Sequence, residues 1–190
     1  AVAAARLGAQ VSMIGCVGDD AFGVELINKL KQEGVETLYV QTVSGVSTGV
    51  ALITLSQAEN SIVVVPGANH AMSPAFLSVA EEAFLAADVV LCQLEIPLPV
   101  VEAAAGLAAL HGKPFLLNPA PATALPKVLL AGATLMTPNE HELSLVFESE
   151  ESDWQSTLVQ HPQRILMTRG ADGSWFADEA AHLCHQPGFS

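Results

Sequence analysis

Polar side chains gather at four places in this sequence where a short apolar run ends. Val89-Val90-Leu91-Cys92 leads to Gln93-Leu94-Glu95, and Phe115-Leu116-Leu117 leads to Asn118. Leu135-Met136-Thr137 leads to Pro138-Asn139-Glu140-His141-Glu142, and Ile165-Leu166-Met167 leads to Thr168-Arg169-Gly170. Open α/β sheets bind ligands beyond the carboxyl ends of their strands. If these runs are strands, their polar groups meet at one edge, and that edge is the candidate site. Taken singly, capping is the better reading for each: Glu95 and Asn139 both suit a helix N-terminus, through the macrodipole or a side-chain cap. Four together point to a site. A small anionic ligand is compatible with this edge if helix N-termini and a metal ion hold it.

The elements that would position these groups follow a βα rhythm. Short apolar runs alternate with helical periodicity, which predicts an α/β fold with a largely parallel sheet. Strands are expected at Val11 to Val17, Val89 to Leu94, Pro114 to Leu117, Thr134 to Thr137 and Arg164 to Thr168. A helix from Phe22 to Gln32 carries Phe22, Leu26, Ile27 and Leu30 on one face and ends at Gly34. Ser73-Pro74 opens a helix from Ala75 to Ala86, Pro97 starts another to about His111, and a further one follows Asn139. After Gly173, residues Ser174 to His185 read as a hairpin. One segment breaks the rhythm. Val35 to Val43, Thr48 to Leu55 and Ser61 to Val65 are strand-like with no helix between them, the last two joined by the loop Ser56-Gln57-Ala58-Glu59-Asn60. They form either an outlying antiparallel sheet, such as a lid over the site, or edge strands of the main sheet.

Composition narrows the function classes. The chain has 190 residues, 51% hydrophobic and 14% charged, enough for one packed α/β domain. No apolar run is long enough to span a bilayer, and no signal peptide is visible. Three cysteines cannot all pair; Cys16 and Cys92 sit in apolar runs and read as buried hydrophobes, so the cytoplasm is the expected compartment. The net charge is −13, and the seven Lys and Arg residues are scattered. That argues against a duplex nucleic-acid partner, whose affinity comes mainly from cations on phosphates.

Three motifs are decoys. Gly18-Asp19-Asp20-Ala21-Phe22-Gly23 has P-loop glycine spacing but continues Val24-Glu25 where Lys and Ser or Thr are required. Gly15, Gly18 and Gly23 do not fit the dinucleotide fingerprint either. In His182-Leu183-Cys184-His185, strand alternation splits the potential ligands between two faces, with no second pair nearby. Asp19 and Asp20 are read as caps of the helix that follows.

Several ordered motifs carry a family resemblance: Thr48-Gly49-Val50-Ala51-Leu52-Ile53, Gly67-Ala68-Asn69, Gln93-Leu94-Glu95, Leu117-Asn118-Pro119-Ala120-Pro121, Thr137-Pro138-Asn139-Glu140-His141-Glu142 and Thr168-Arg169-Gly170-Ala171-Asp172-Gly173. Their order resembles that of the ribokinase (pfkB) family of carbohydrate kinases over nearly the whole chain. The resemblance implies a central, mostly parallel sheet flanked by helices, with residues 35–65 contributing to a small antiparallel β-lid. It implies ATP as co-substrate, Mg²⁺, and phosphorylation of the 5-hydroxyl of D-ribose. Glu95 resembles the family's sugar-binding glutamate, and a carboxylate can accept from two adjacent hydroxyls of a pentose. Asn139 resembles the asparagine that contacts the nucleotide phosphates. Glu142 resembles the acidic residue that organises Mg²⁺ through water. Thr168, Arg169, Gly170, Ala171, Asp172 and Gly173 resemble the nucleotide loop, with Asp172 read as a turn residue within it.

The resemblance also implies that this single domain is cut at both ends. The family's glycine-rich sugar loop would end before Ala1, with the first lid strands. The Gly-Ala-Gly-Asp motif carrying the catalytic aspartate would follow Ser190, with the monovalent-cation (K⁺) site. No catalytic base is therefore expected within the chain, and the chain alone is expected to be inactive. A homodimer through the β-lid is expected of the intact protein. The rival readings are a non-catalytic sugar- or nucleotide-binding protein on the same fold, or a kinase for fructose or deoxyribose.

Overall fold

The computed structural model describes residues 1–56 and 59–189. They form two compact units, Ala1–Ala83 and Phe84–Ser190.

The first unit opens with α1 (Val2–Arg6), β1 (Val11–Gly18), α2 (Ala21–Gln32) and β2 (Val35–Val43). β1 and β2 pair in parallel from Val11↔Val35 to Gly18↔Val43, so α2 is the crossover of a βαβ unit. The expected cap is present: Asp20 has extended backbone and accepts from Gly23 N at 2.9 Å. Gly34, at φ +76°, turns the chain out of the helix. The expected apolar face is only partly used. Phe22 and Leu26 are 59% and 46% exposed, whereas Gly23 is buried. A side chain at Gly23 would run into the carbonyl of Gly18 and the hydroxyl of Thr48, so the start of α2 packs by backbone.

β3 (Val50–Ser56) and β4 (Glu59–Val65) pair antiparallel as a separate two-stranded sheet. The three strand-like runs between 35 and 65 therefore do not form one antiparallel sheet. β2 follows a helical crossover and lies parallel to β1, which leaves only β3 and β4 as a hairpin. Within the expected loop of residues 56–60, Gln57 and Ala58 lie outside the described residues. The expected helix over Ala75 to Ala86 is two, α3 (Pro74–Ser78) and α4 (Glu81–Ala86). Ser73 holds the N-cap position without a side-chain bond, and Glu81 and Glu82 open a fresh first turn, where acidic residues are favoured.

The second unit contains β5 (Val90–Cys92), α5 (Leu98–Leu110), β6 (Phe115–Leu117), α6 (Lys127–Gly132), β7 (Leu135–Met136), α7 (Glu140–Phe147), α8 (Trp154–Gln160), β8 (Leu166–Thr168), β9 (Ser174–Ala177) and β10 (Leu183–Gln186). β5, β6 and β7 are parallel. Parallel bridges Met136↔Ile165 and Asn139↔Thr168 carry the sheet on to β8. β9 and β10 then extend it antiparallel, as the expected hairpin. Phe115, Leu117, Met136 and Met167 from these strands are buried, as is Ile165 just before β8. Also buried are a stripe on α5 (Val100, Val101, Ala104, Ala108) and Leu129, Leu143, Val146 and Leu158 from the later helices. The architecture is α/β, as the pattern predicts.

Arg164 Nη2 donates to the carbonyls of Leu130 (2.6 Å) and Ala133 (2.8 Å), closing the C-terminal end of α6. All three cysteines are free. Cys16 is buried, and burial pushes the half-buried Cys92 thiol up to about 11, which fits both as small hydrophobes and not as nucleophiles.

Candidate functional site

Parallel pairing of β5, β6, β7 and β8 brings their carboxyl ends to one edge of the second unit. The chain leaving each strand is also tied to its neighbour. Asn118 N donates to Cys92 O (2.9 Å), Leu94 N to Ala120 O (2.9 Å), Thr137 N to Leu117 O (3.0 Å), and Thr168 N to Pro138 O (2.9 Å). The segments beginning at Gln93, Asn118, Thr137 and Thr168 are thus laid side by side. With strands ~4.8 Å apart, the groups after β5 and β8 sit about 14 Å from one another across the sheet.

At the β5 end, Glu95 is exposed, and its backbone N–H donates to Gln93 Oε1. That bond folds the chain into the turn before α5 and leaves the Glu95 carboxylate outside it. Asn118 is half-buried next to the buried Pro119.

At the β7 end, Asn139 and Glu142 form a reciprocal capping box on α7. Asn139 Oδ1 accepts from Glu142 N (2.8 Å), and Glu142 Oε2 accepts from Asn139 N (2.8 Å). Capping and ligand binding need not compete here. The box uses one oxygen of each side chain. The Asn139 amide NH₂ and the Glu142 Oε1 atom take no part in it, and Asn139 is exposed. An amide donor and a carboxylate oxygen thus face out from one helical turn.

At the β8 end, Thr168 to Gly173 form a tight loop. Arg169 N donates to Gly173 O (2.8 Å), Asp172 N to Arg169 O (3.0 Å) and Gly173 N to Gly170 O (3.1 Å). The N–H groups of Gly170 and Ala171 are not among the loop's own donors, and both residues are exposed. Such consecutive amides are suited to an anion. The glycines differ in purpose. Gly170, at φ +51°, has open space where a side chain would be. Gly173, at φ +98°, has the backbone of Gln186 to Gly188 in that space, so its bare Cα serves packing.

The Arg169 and Asp172 side chains face one another and their surroundings. Arg169 Nε donates to Glu140 Oε1 (2.7 Å), its Nη1 reaches Asp172 Oδ2 (3.4 Å), and its guanidinium lies 5.3 Å from the Trp154 ring centroid. Trp175 Nε1 donates to Asp172 Oδ2 (3.2 Å). The Trp175 ring stacks on His185 at 4.1 Å and meets Trp154 edge-on at 5.2 Å. Sequence reasoning missed Glu140, Trp154, Trp175 and His185 as members of this cluster. Their only shared signal was that both tryptophans fall in the last part of the chain.

The chain matches the family model for pfkB family carbohydrate kinases over residues 1–190. It belongs to that family. This pfkB family member is 44% identical over 173 residues to the ribokinase of Bacillus subtilis (strain 168), covering 91% of this chain and 58% of that protein. It is 33% identical over 194 residues to the deoxyribokinase of Salmonella typhi, covering 96% of this chain and 63% of that one. Among solved structures, it matches Arabidopsis thaliana ribokinase complexed with ribose and ATP with a TM-score of 0.84 at 30% identity, covering 98% of this chain and 64% of the other. The α/β architecture is therefore the ribokinase-like fold. The pfkB chain spans about three-fifths of the length of these relatives.

Proposed function

We propose that the whole protein transfers the γ-phosphoryl group of ATP to the 5-hydroxyl of D-ribose along this edge. The observation that carries the reading is the alignment of four strand ends, with a free-standing carboxylate at one end and uncommitted donors at the other. Glu95 binds sugar hydroxyls at the β5 end. The Asn139 amide and the N–H groups of the Thr168 to Gly173 loop bind nucleotide at the β7 and β8 ends. The loop recognises nucleotide through its backbone, since Arg169 and Asp172 are occupied by the cluster described above. The similarity to a ribokinase whose structure is complexed with ribose and ATP supports a site for both ligands.

Phosphoryl transfer calls for a divalent cation to neutralise the developing charge. Among the described residues no three His, Cys, Asp or Glu side chains are grouped to hold a metal ion. Mg²⁺ is commonly held by one or two carboxylates, water and substrate phosphates. Glu142, through Oε1, is the carboxylate we assign to its water shell. A K⁺ site and the base are assigned to parts of the protein other than these residues. Asp172, the aspartate of the loop itself, already accepts from Trp175 and Arg169.

A homodimer through the β3–β4 hairpin and a cytoplasmic location complete the proposal; free thiols persist in that compartment. Among the described residues no helix is long and apolar enough to cross a membrane. The similarity to a deoxyribokinase makes 2-deoxyribose the competing sugar.

Calorimetry on the whole protein tests the division of the edge. Glu95→Ala is expected to weaken D-ribose binding by roughly tenfold or more, the scale of a lost charge-assisted hydrogen bond. Mg·ADP affinity should stay within about twofold of wild type. Unchanged ribose affinity in the variant would remove Glu95 from the sugar site.

A further inference from the structure

We infer that Glu140 and Arg169 form a positioning pair that sets the nucleotide loop against the first turn of α7, an inference that rests on the nucleotide reading above. Neither side chain is assigned a ligand contact by it. Glu140 is the first residue of α7, directly after the cap Asn139, and Arg169 is the second residue of the loop. Their bond, Nε to Oε1 at 2.7 Å, joins the segment after β7 to the segment after β8.

Two other contacts restrict the guanidinium, and one of them is braced in turn. It lies over Trp154, which is buried on α8; it reaches Asp172; and Asp172 is itself held by Trp175 Nε1. The backbone adds one bond between the two segments near this point, Thr168 N to Pro138 O. That bond fixes the strand ends, and the far side of the loop is held to β9 and β10 by the Thr168↔Ser174 pairing and by His185 Nε2 on Asp172 O (2.6 Å). The ion pair is the side-chain contact that ties the loop to α7. It thereby sets the direction in which the Gly170 and Ala171 N–H groups point relative to the Asn139 amide.

Charge accounts for the role. The chain has seven Lys and Arg residues, and Arg169 is the one at this edge. A cation placed for phosphate would be left facing solvent. This one is turned onto two carboxylates and an aromatic ring. Both partners of the pair are about one-third exposed, 38% and 37%, a setting in which an ion pair adds little to overall stability. Its effect should appear in nucleotide affinity and not in the melting temperature.

A double-mutant cycle on the whole protein tests this, with Mg·ADP and D-ribose binding read by calorimetry. Glu140→Gln and Arg169→Gln are each expected to weaken Mg·ADP binding about fivefold. The double variant should be no weaker than either single one, and ribose affinity should be unchanged. The charge-swapped pair Glu140→Arg with Arg169→Glu should recover most of the loss. If Arg169→Gln does not fold, Arg169→Lys takes its place in the cycle. Lysine keeps the charge but cannot present Nε to Glu140 while lying flat on Trp154. Independent, multiplying losses would overturn the pair. So would a loss for the Arg169 variant with none for Glu140→Gln, which would make Arg169 a direct nucleotide contact. An Asn139→Ser variant run alongside separates the two layers. If Asn139→Ser weakens Mg·ADP binding and Glu140→Gln does not, the pair fails and the nucleotide reading stands. If neither does, the nucleotide reading itself fails.

Discussion

Asn139 shows how one residue can serve the fold and the ligand together. Its carbonyl oxygen caps α7 while its amide NH₂ stays outside the cap. The two roles can be separated by chemistry. Serine is as good an N-cap as asparagine but offers no amide donors, whereas alanine loses both. Asn139→Ser should therefore leave stability within a few tenths of a kcal/mol, while Asn139→Ala should cost about 1 kcal/mol. Both should weaken Mg·ADP binding by roughly tenfold, on the scale of a hydrogen bond to a charged group. Thermal melts and calorimetry on the same samples check this. A serine variant that binds Mg·ADP like wild type would reduce Asn139 to a cap. At this scale the sequence was informative where motif and local geometry coincide, as at Asn139-x-x-Glu142. It was silent on Glu140, because nothing in Asn139-Glu140-His141-Glu142 says which side chain will meet an arginine 29 positions away.

At the scale of elements, the glycine-rich turn after β1 is a structural clasp. Asp20 Oδ2 accepts from Thr48 N (2.8 Å), and Asp20 Oδ1 accepts from Thr48 Oγ1 (2.5 Å) and Gly23 N (2.9 Å). Thr48 Oγ1 in turn accepts from Gly18 N (2.9 Å). Gly18 has the backbone of Val46 to Thr48 where a side chain would be, which is why glycine spacing there imitates a P-loop. Thr48→Val should cost about 1–3 kcal/mol, because it strands the buried Gly18 N–H. The clasp also has a pH signature. The Thr48 hydroxyl, then the Thr48 and Gly23 amides, hold the Asp20 carboxyl below the ordinary carboxylate range. Arg6 and then Lys29 hold Glu33 down at about 2. A carboxylate depressed by folding gives stability that is fully present above its unfolded pKa, near ~4, and is lost as the pH falls through the folded value. Denaturant titrations should show stability falling from about pH 4.5 towards pH 2, with a shallower slope in Thr48→Val. An unchanged slope would detach Asp20 from the acid transition. The βα rhythm was legible because apolar runs and helix periods differ in kind. α6 and α8 were not, since six and seven residues are too few to show a period. The place of β2 was lost because strand pairing is decided by tertiary contacts and not by the run itself.

Across the whole molecule, the β3–β4 hairpin is the element on which the proposed homodimer rests. Directly opposed pairs share a face: Leu52 with Val63 on one, Ile53 with Ile62 on the other. These four residues are 68%, 59%, 57% and 52% exposed, so neither face is the polar one that a solvated hairpin would show. The proposed homodimer would cover them. Sedimentation of the whole protein should give a dimer, and Ile53→Lys with Ile62→Lys should give a monomer. A wild-type monomer would contradict that assembly. The central claim concerns chemistry, and a coupled assay of ADP release by the whole protein with Mg·ATP reads it most directly. With D-ribose, 2-deoxyribose and fructose compared side by side, ADP release should depend on added sugar and be fastest with D-ribose. A preference for 2-deoxyribose or fructose would contradict the assigned substrate, and ADP release that no sugar stimulates would contradict the account of this edge as a sugar-kinase site.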